Sequence, residues 1–421
     1  MNVTGQASEL PAALAEPVRR VGPRWIAFIS LGNLVLWMGY FGPLQVLLPE
    51  QVGEIAGGGK EAALALVTGL GAAAALIANP IAGALSDRTA GRFGRRHPWT
   101  LSGALLACLG LLFLSMQNTV AGVALGWCAA QIGLNCLQAA LSAGVPDHVP
   151  VSQRGGVSGW IGITQSLGVV VGVGLVTMVA TGSTSGYLLI GLILPLCVLP
   201  FVLTTPDPAL PREHRPTFTL RHFWISPRKH PDFAWAWATR FLMSLGNAMA
   251  LLYLLYFLTD AVGYERRFPG EKASDGLFLL ILVYTGAVVL TAVLAGMLSD
   301  RLGKRKLVVT VAGTISAVPA LMLAFWPEWN VTMVAALILG IGFGAYFAVD
   351  NALITQVLPA AKGRGKDLGL INIANSGPQV LGPVIAGPIV AGLGGYTVLY
   401  LTAGGLVLLG AILVWKIKSV P

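Results

Sequence analysis

Gly83-Ala-Leu-Ser-Asp-Arg-Thr-Ala-Gly-Arg-Phe-Gly-Arg-Arg-His97 joins two long apolar runs and packs four arginines and one aspartate into a short loop. A shorter copy, Gly296-Met-Leu-Ser-Asp-Arg-Leu-Gly-Lys-Arg-Lys306, lies 213 positions downstream, half of the 421-residue chain. The chain therefore reads as a duplicated unit, with this loop as its mark. Other matches keep the same order. Leu31-Gly-Asn33 recurs as Leu245-Gly-Asn247, Val149-Pro150 before Arg154 as Leu358-Pro359 before Arg364, and Gln165-Ser166 falls against Asn375-Ser376. Each match alone is weak; their order and near-constant offset carry the reading.

Composition sets the solvent. Hydrophobic residues make up 55% of the chain and charged residues 11%, too apolar and too charge-poor for a water-soluble protein of this length. A bilayer core needs about 20 apolar residues per helical span. Twelve such runs can be drawn: 25–48, 61–85, 99–116, 119–143, 156–181, 185–204, 232–259, 275–298, 307–326, 330–355, 367–392 and 395–416. Lipid offers backbone groups no water, so each run is expected to be a helix. The fold class is all-α and polytopic, with twelve transmembrane helices in two pseudo-symmetric six-helix bundles.

The expected domains follow. Residues 1–24 form an N-terminal tail, 25–204 the first bundle, 205–231 a Pro-, Arg- and His-rich central loop, 232–416 the second bundle, and 417–421 a C-terminal tail. No cleavable signal peptide is evident, since the first apolar run is long enough to span. With the N-terminus inside, 22 of the 27 Lys and Arg residues fall on cytoplasmic segments, which places both termini in the cytoplasm and suits a plasma-membrane protein. The net charge of +9 is thereby explained by topology and not by nucleic acid, because no aromatic-studded basic patch exists. The outer loop 260–274 is charged and mixed in sign and is expected only to be solvated. Cys108, Cys128, Cys136 and Cys197 all lie in apolar runs without metal-ligand spacing and read as buried small hydrophobes.

Twelve spans, a long middle loop and the duplicated Gly-x-Leu-Ser-Asp-Arg loop together resemble the major facilitator superfamily over nearly the whole chain. The handed-down architecture of that superfamily is two six-helix halves built from nested repeats. Within it the first loop, from Ser86 to Trp99, looks most like the glycoside–pentoside–hexuronide and sucrose-transporter branch. The resemblance implies that Gly83, Asp87, Arg88, Gly91, Arg92, Gly94, Arg95 and Arg96, with Asp300, Arg301, Gly303, Lys304 and Arg305 in the second copy, form gating loops that latch the cytoplasmic side. Gly83 is expected to let a neighbouring helix approach closely, and Asp87 to meet a facing helix N-terminus or a basic partner. The plainer alternative is that the arginines only hold the loop inside. The second copy lacks the Arg-Phe-Gly-Arg stretch.

Polar groups in lipid are expensive, so rows of them need a reason. Asn33, Trp37 and Tyr40 share one face of span 1, and Gln131, Asn135, Gln138 and Ser142 one face of span 4. Span 5 offers Gln165, span 7 Ser244 and Asn247, span 10 Tyr346 and Asn351, and span 11 Asn372, Asn375, Ser376 and Gln379. Spans 1, 4, 7 and 10 line the central cavity in the resembled fold, so these residues are expected to line a substrate cavity. The alternative is hydrogen bonding that glues the helices. Amides both donate and accept, and aromatic faces stack on rings, which suits a neutral, hydroxyl-rich ligand.

Arg240 and Asp350 are the clear intramembrane charges. At similar depth they are cheaper paired than apart, so a pair across spans 7 and 10 is expected, either as a proton-coupling site or as a static ion pair. No acidic residue sits mid-span in spans 1 to 6, which argues against the sodium coupling of melibiose-type relatives. No arginine lies within span 4, which lowers a drug-efflux reading. The sequence thus points to a transporter that is not an enzyme: it has no Walker loop, no metal cluster and no nucleophile motif. Proton-coupled sugar or glycoside symport is the favoured version, proton-driven efflux of amphipathic small molecules the alternative, and a transporter-like membrane receptor a distant third. The expected partners are a small-molecule substrate, membrane lipid and protons, with no cofactor, no metal, no nucleic acid and a monomeric state.

Overall fold

The computed structural model describes residues 17–180, 182–208, 230–302, 305–357 and 364–418. Among the described residues, twelve long helices follow one another. α1 runs over Pro23–Gly42 and continues through a π-helical turn, Pro43–Leu47, into Leu48–Ala56. Then come α2 (Lys60–Asp87), α3 (His97–Leu114), α4 (Val120–His148), α5 (Val151–Gly174), α6 (Ser183–Thr204) and α7 (Pro231–Leu252). The second half completes with α8 (Ala273–Leu302), α9 (Arg305–Phe325), α10 (Trp329–Val357), α11 (Arg364–Gly392) and α12 (Gly395–Leu413). After Leu252, α7 breaks at Tyr253, bends by 47° and continues to Val262.

Among the described residues, nine helical stretches are long and apolar enough to cross a membrane, or ten with the bent α7 as one span. One of the nine, Pro23–Asp87, has 65 residues. At about 1.5 Å per residue that is roughly three times a bilayer core, so it crosses twice, turning at Gly57–Gly59, where Gly57 takes φ +53°. The twelfth, α11, carries Pro378, Pro383 and Pro388 inside the helix. Leu109 and Leu196 expose 62% and 66% of their surface. In water such side chains would be an aggregation surface; against lipid tails they are the normal exterior. The chain is an integral multi-pass membrane protein.

The duplication is visible in the packing. In the first half α3 packs on α4 and α6, α2 on α4, and α1 on α5 and α6; in the second half α9 packs on α10 and α12, α8 on α10, and α7 on α11 and α12. Adding six to each helix number turns the first set into the second. The halves meet through α2 on α11 and α5 on α8, which are also related by that shift. The α3/α4 crossing is made by glycine: a Cβ on Gly133 would collide with the backbone nitrogen of Ala107, and one on Gly110 with that of Ala130. Gly168 on α5 likewise lies against the Leu34 carbonyl, 2.5 Å from an added Cβ. The four cysteines are free.

Candidate functional site

Three places bear on function: the two ends of the helices and the middle. At the end carrying Lys60, the halves are clasped. Lys60 Nζ lies 2.7 Å from Asp260 Oδ1, and the Tyr396 hydroxyl donates to Asp260 Oδ2 at 2.8 Å. The Lys60 ammonium also stands over the Tyr256 ring, 4.6 Å from its centroid. Tyr256 donates to the Pro49 carbonyl at 2.8 Å and Tyr253 to the Glu61 carbonyl at 3.0 Å. Every one of these contacts except Tyr396–Asp260 crosses between the halves. The expectation that loop 260–274 is only solvated is therefore corrected. Asp260 is anchored in the clasp, and Tyr264 packs its ring against Phe268 and Trp329 while its hydroxyl donates to Glu271. Charges that look dispersed in sequence converge because the break in α7 swings 254–262 over the ends of α1 and α2.

Among the described residues, the halves part towards the other end. Contacts of α2 with α11 fall at Gly69–Val384 and Gly387–Ala65, and the α5–α8 contact at Gly174–Phe278. Further along, a Cβ on Gly156, Gly159 or Gly162 of α5 meets no described atom within 4 Å. Gly83 behaves the same way: a Cβ there meets no described atom within 4 Å, so the described residues do not supply the helix expected to approach it.

At that parted end the first arginine-rich loop is folded onto its own half. Arg96 is 5% exposed. Its Nη2 lies 2.5 Å from Asp87 Oδ1, its Nε 2.8 Å from Asp147 Oδ2, and its Nη1 2.5 Å from the Ser86 hydroxyl. Arg95 joins Asp147 at 2.6 Å. Burial works against the Arg96 charge, and Asp147 and Asp87 more than offset it, so the guanidinium is held above its ordinary value. Asp207, on the far side of α6, accepts from the backbone N–H groups of Arg96 and His97 and so caps α3. Gly94, at φ +87°, leaves room for that carboxylate, which a Cβ would strike. Gly91 pairs with Gly94 across the turn. Arg88 and Arg92 are exposed, Arg92 over the Phe93 ring at 4.7 Å. Asp87 thus meets a basic partner within its own loop. In the second copy Arg305 begins α9, while Gly303 and Lys304 and the side chains of Asp300 and Arg301 lie outside the described residues.

In the middle, the first half holds a chain of amides. The Tyr40 hydroxyl donates to Gln138 Oε1 at 3.1 Å. Asn79 Nδ2 donates to Asn135 Oδ1 at 3.2 Å and to Gln138 Oε1 at 3.4 Å. Asn135 Nδ2 donates to the Gln131 carbonyl at 2.8 Å and to its side chain at 3.2 Å. Tyr40, Gln138 and Asn79 are half-buried, whereas Gln131 and Asn135 are buried. Asn79, which the sequence reading passed over, is the link: it ties two positions of α4 to α2. Trp37 stacks on Phe41, centroids 5.9 Å apart. Asn33 is satisfied within its own helix, donating to the Ile29 carbonyl at 2.9 Å. Gln165 and Ser244 are half-buried and Gln379 is exposed; the side chains of Asn351, Asn372 and Asn375 lie outside the described residues. Asn247 faces the interior of the second half.

In the second half the polar contact described is an ion pair. Arg240 Nε and Nη2 both lie 2.5 Å from Asp350 Oδ2, with the two residues 5% and 3% exposed. Tyr346, one turn from Asp350 and buried, sits against both. Arg240 is nine residues into α7 and Asp350 seven from the end of α10, about 10–14 Å from the parted end at 1.5 Å per residue. Two ions taken so far from water persist only as a close pair.

A sequence profile described as Major Facilitator Superfamily matches residues 26–285 and 272–421. Among solved structures, the nucleoside transporter NupG, in a mutant form, is similar at a TM-score of 0.74 and 13% identity, covering 93% of this chain and 99% of that one. The peptide transporter POT in complex with sulfate gives 0.74 at 15% identity, covering 96% and 97%. The human organic anion transporter MFSD10 (TETRAN) gives 0.67 at 17% identity, covering 94% and 100%. At these identities the likeness is one of fold. No curated protein matches the sequence significantly.

Proposed function

The chain belongs to the major facilitator superfamily and is a transporter, not an enzyme, and from that premise we propose that it moves a neutral, hydroxyl-rich solute of the sugar or glycoside class together with a proton. The observation that carries the substrate class is the Tyr40–Gln138–Asn79–Asn135 chain of neutral donors and acceptors beside the stacked Trp37 and Phe41. Such a set binds hydroxyl groups without the charge needed for an ionic solute. We place the two six-helix bundles at 25–204 and 232–416, with Asn33, Gln165, Ser244, Asn351, Asn372, Asn375 and Gln379 contributing to the cavity between them.

The basic-residue bias supports the parted end as the cytoplasmic one, with both termini inside a plasma membrane. The Lys60 end is then the outer gate, drawn shut, and the loops around Asp87 and Asp300 gate the cytoplasmic side. Transport proceeds by opening the outer clasp while the parted end closes. Asp350 is the proton-carrying group: a proton on its carboxyl cancels its attraction to Arg240 and loosens α7 from α10, the helices that flank the site. The stacked Trp237–Phe241 pair on α7, with Trp37–Phe41 on α1, favours a second reading, export of a flat amphipathic molecule.

Uptake of a labelled sugar panel into proteoliposomes, with and without an inward proton gradient, tests the reading. Accumulation of one sugar above equilibrium, abolished by a protonophore and by Asp350→Asn, is the expected result. Equilibration alone removes the proton, and no uptake of any sugar removes the substrate class.

A further inference from the structure

The second half contains a small chamber between α7, α9, α10 and α12, away from the amide chain. It offers about 30 Å³ for the centres of water-sized molecules, with Met243, Asn247, Ser316, Phe343 and Tyr400 among its walls. One water needs about 10–15 Å³ measured this way, so the space suits two waters and no drug-sized ligand. Most of the wall is apolar. The exceptions are what make it a site.

The Tyr400 hydroxyl, on a side chain with no exposed surface, has no partner among the described residues, and neither does the buried Asn247 Oδ1. Pro319, also in the wall, has no N–H, so the carbonyl of Ile315 one turn earlier loses its helical partner. Ser316 donates to the Ala312 carbonyl and keeps its lone pairs free to accept. Two polar groups on two helices, the Tyr400 hydroxyl and Asn247 Oδ1, therefore line one small space without a partner among the described residues. A dry chamber would leave both of them unsatisfied, against the strong tendency of buried polar atoms to be bonded.

We propose that the chamber is a built hydration site, holding two ordered waters that bridge Tyr400 and Asn247. Tyr400 and Asn247 are then not substrate contacts. The site lies along the same two helices as the ion pair. Met243 is one turn from Arg240 and Phe343 two turns from Asp350, on the side towards the outer gate. The inference stands whether or not Asp350 carries a proton.

X-ray radiolytic labelling of the full-length protein in nanodiscs tests it, because hydroxyl radicals made from bound water mark adjacent side chains. Tyr400 and Met243 should be modified at low dose although both are buried, and Ala320→Leu, which fills the chamber, should abolish that labelling while exposed residues label as before. Melting gives a second readout by sign. Tyr400→Phe should lower the melting temperature if the hydroxyl binds water, and Asn247→Leu in that background should lower it little further, because the two share the same waters. Unlabelled Tyr400 and Met243, or a Tyr400→Phe protein as stable as or more stable than the parent, would show the chamber dry and overturn the proposal.

Discussion

Loosening the clasp at the Lys60 end should tip the protein towards the state in which that end is open, by an amount the contacts set. Lys60→Ala removes an ion pair whose side chains are 21% and 32% exposed, worth about 0.5 kcal/mol at that exposure. It also removes the ammonium from the Tyr256 ring, about another 0.5 kcal/mol. Asp260 keeps the Tyr396 hydroxyl, so no carboxylate is left bare. Tyr253→Phe and Tyr256→Phe each remove a hydroxyl bond to a carbonyl of the other half, about 1 kcal/mol apiece. The triple variant therefore loses at most about 3 kcal/mol, and about 2.5 kcal/mol once the overlap of neighbouring contacts is allowed for. At about 1.4 kcal/mol per factor of ten, that is roughly a 60-fold change in the ratio of closed to open at this end. Spin labels at exposed Leu66 and Leu393, in a cysteine-free background, report the distance across the gate by pulsed electron resonance. A longer-distance population should be small in the parent, grow in Lys60→Ala and dominate in the triple variant. An unchanged distance distribution in a triple variant that still melts as the parent does would refute the reasoning, since the clasp would then carry none of the closure energy.

Other consequences are more local. Gly133→Ala drives a methyl into the Ala107 backbone and should destabilise by about 1–3 kcal/mol, read as a fall in melting temperature, while Gly83→Ala, which meets only open space, should leave it unchanged. Asn79→Leu removes the donor shared by Asn135 and Gln138. Binding of the transported solute, measured by calorimetry, should weaken by about tenfold to a hundredfold with folding intact, given about 1–3 kcal/mol for acceptors left bare. Arg96→Ala strands Asp87 and half of the partnership of Asp147. Because Asp87 is 48% exposed and Arg95 still holds Asp147, the loss should be about 2 kcal/mol, below that for a fully buried pair, and Arg96→Lys should recover only part of it for want of a forked donor.

The helices were legible because lipid permits little else: an apolar run of the right length must be a helix, and its ends lie where charge begins. The repeat was legible because its loop carries charge that both halves need at the membrane surface. What periodicity cannot give is the partner of a face. Asn79 stands alone in α2, with no stripe to mark it, yet it joins the amides of α4. Asn247 shares a face with Ser244 in sequence, and that face turns into the second half because the bend at Tyr253 and the glycine contact of Gly246 with Ala403 set how α7 sits on α12. Asp147 and Asp207 were overlooked beside the arginines they hold, since a loop read for its net charge hides the acids brought from α4 and α6. Lys60 and Asp260 are 200 residues apart, and only the meeting of the two halves makes them a pair.

If the protein couples a proton to its solute as proposed, that meeting also bears on how. The two halves share a packing pattern, and the polar contacts described in their middles differ: Tyr40 and the amides of α2 and α4 in the first half, and a buried ion pair between α7 and α10 in the second. No described contact joins the amide chain to the ion pair. Under the proposed mechanism, coupling through the relative position of the halves is the route that the described contacts support. α7 is the element able to transmit it. Its inner part carries Arg240, and its segment beyond the 47° bend carries Tyr256 and Asp260 of the outer clasp. Releasing Arg240 from Asp350 frees one end of a helix whose other end holds the gate, so protonation and gate opening act on a single lever. Asp350→Asn should accordingly shift the gate distance in the same direction as Lys60→Ala, with no solute present. An Asp350→Asn protein whose outer gate stays as closed as the parent's would separate the ion pair from gating and leave it a structural pair.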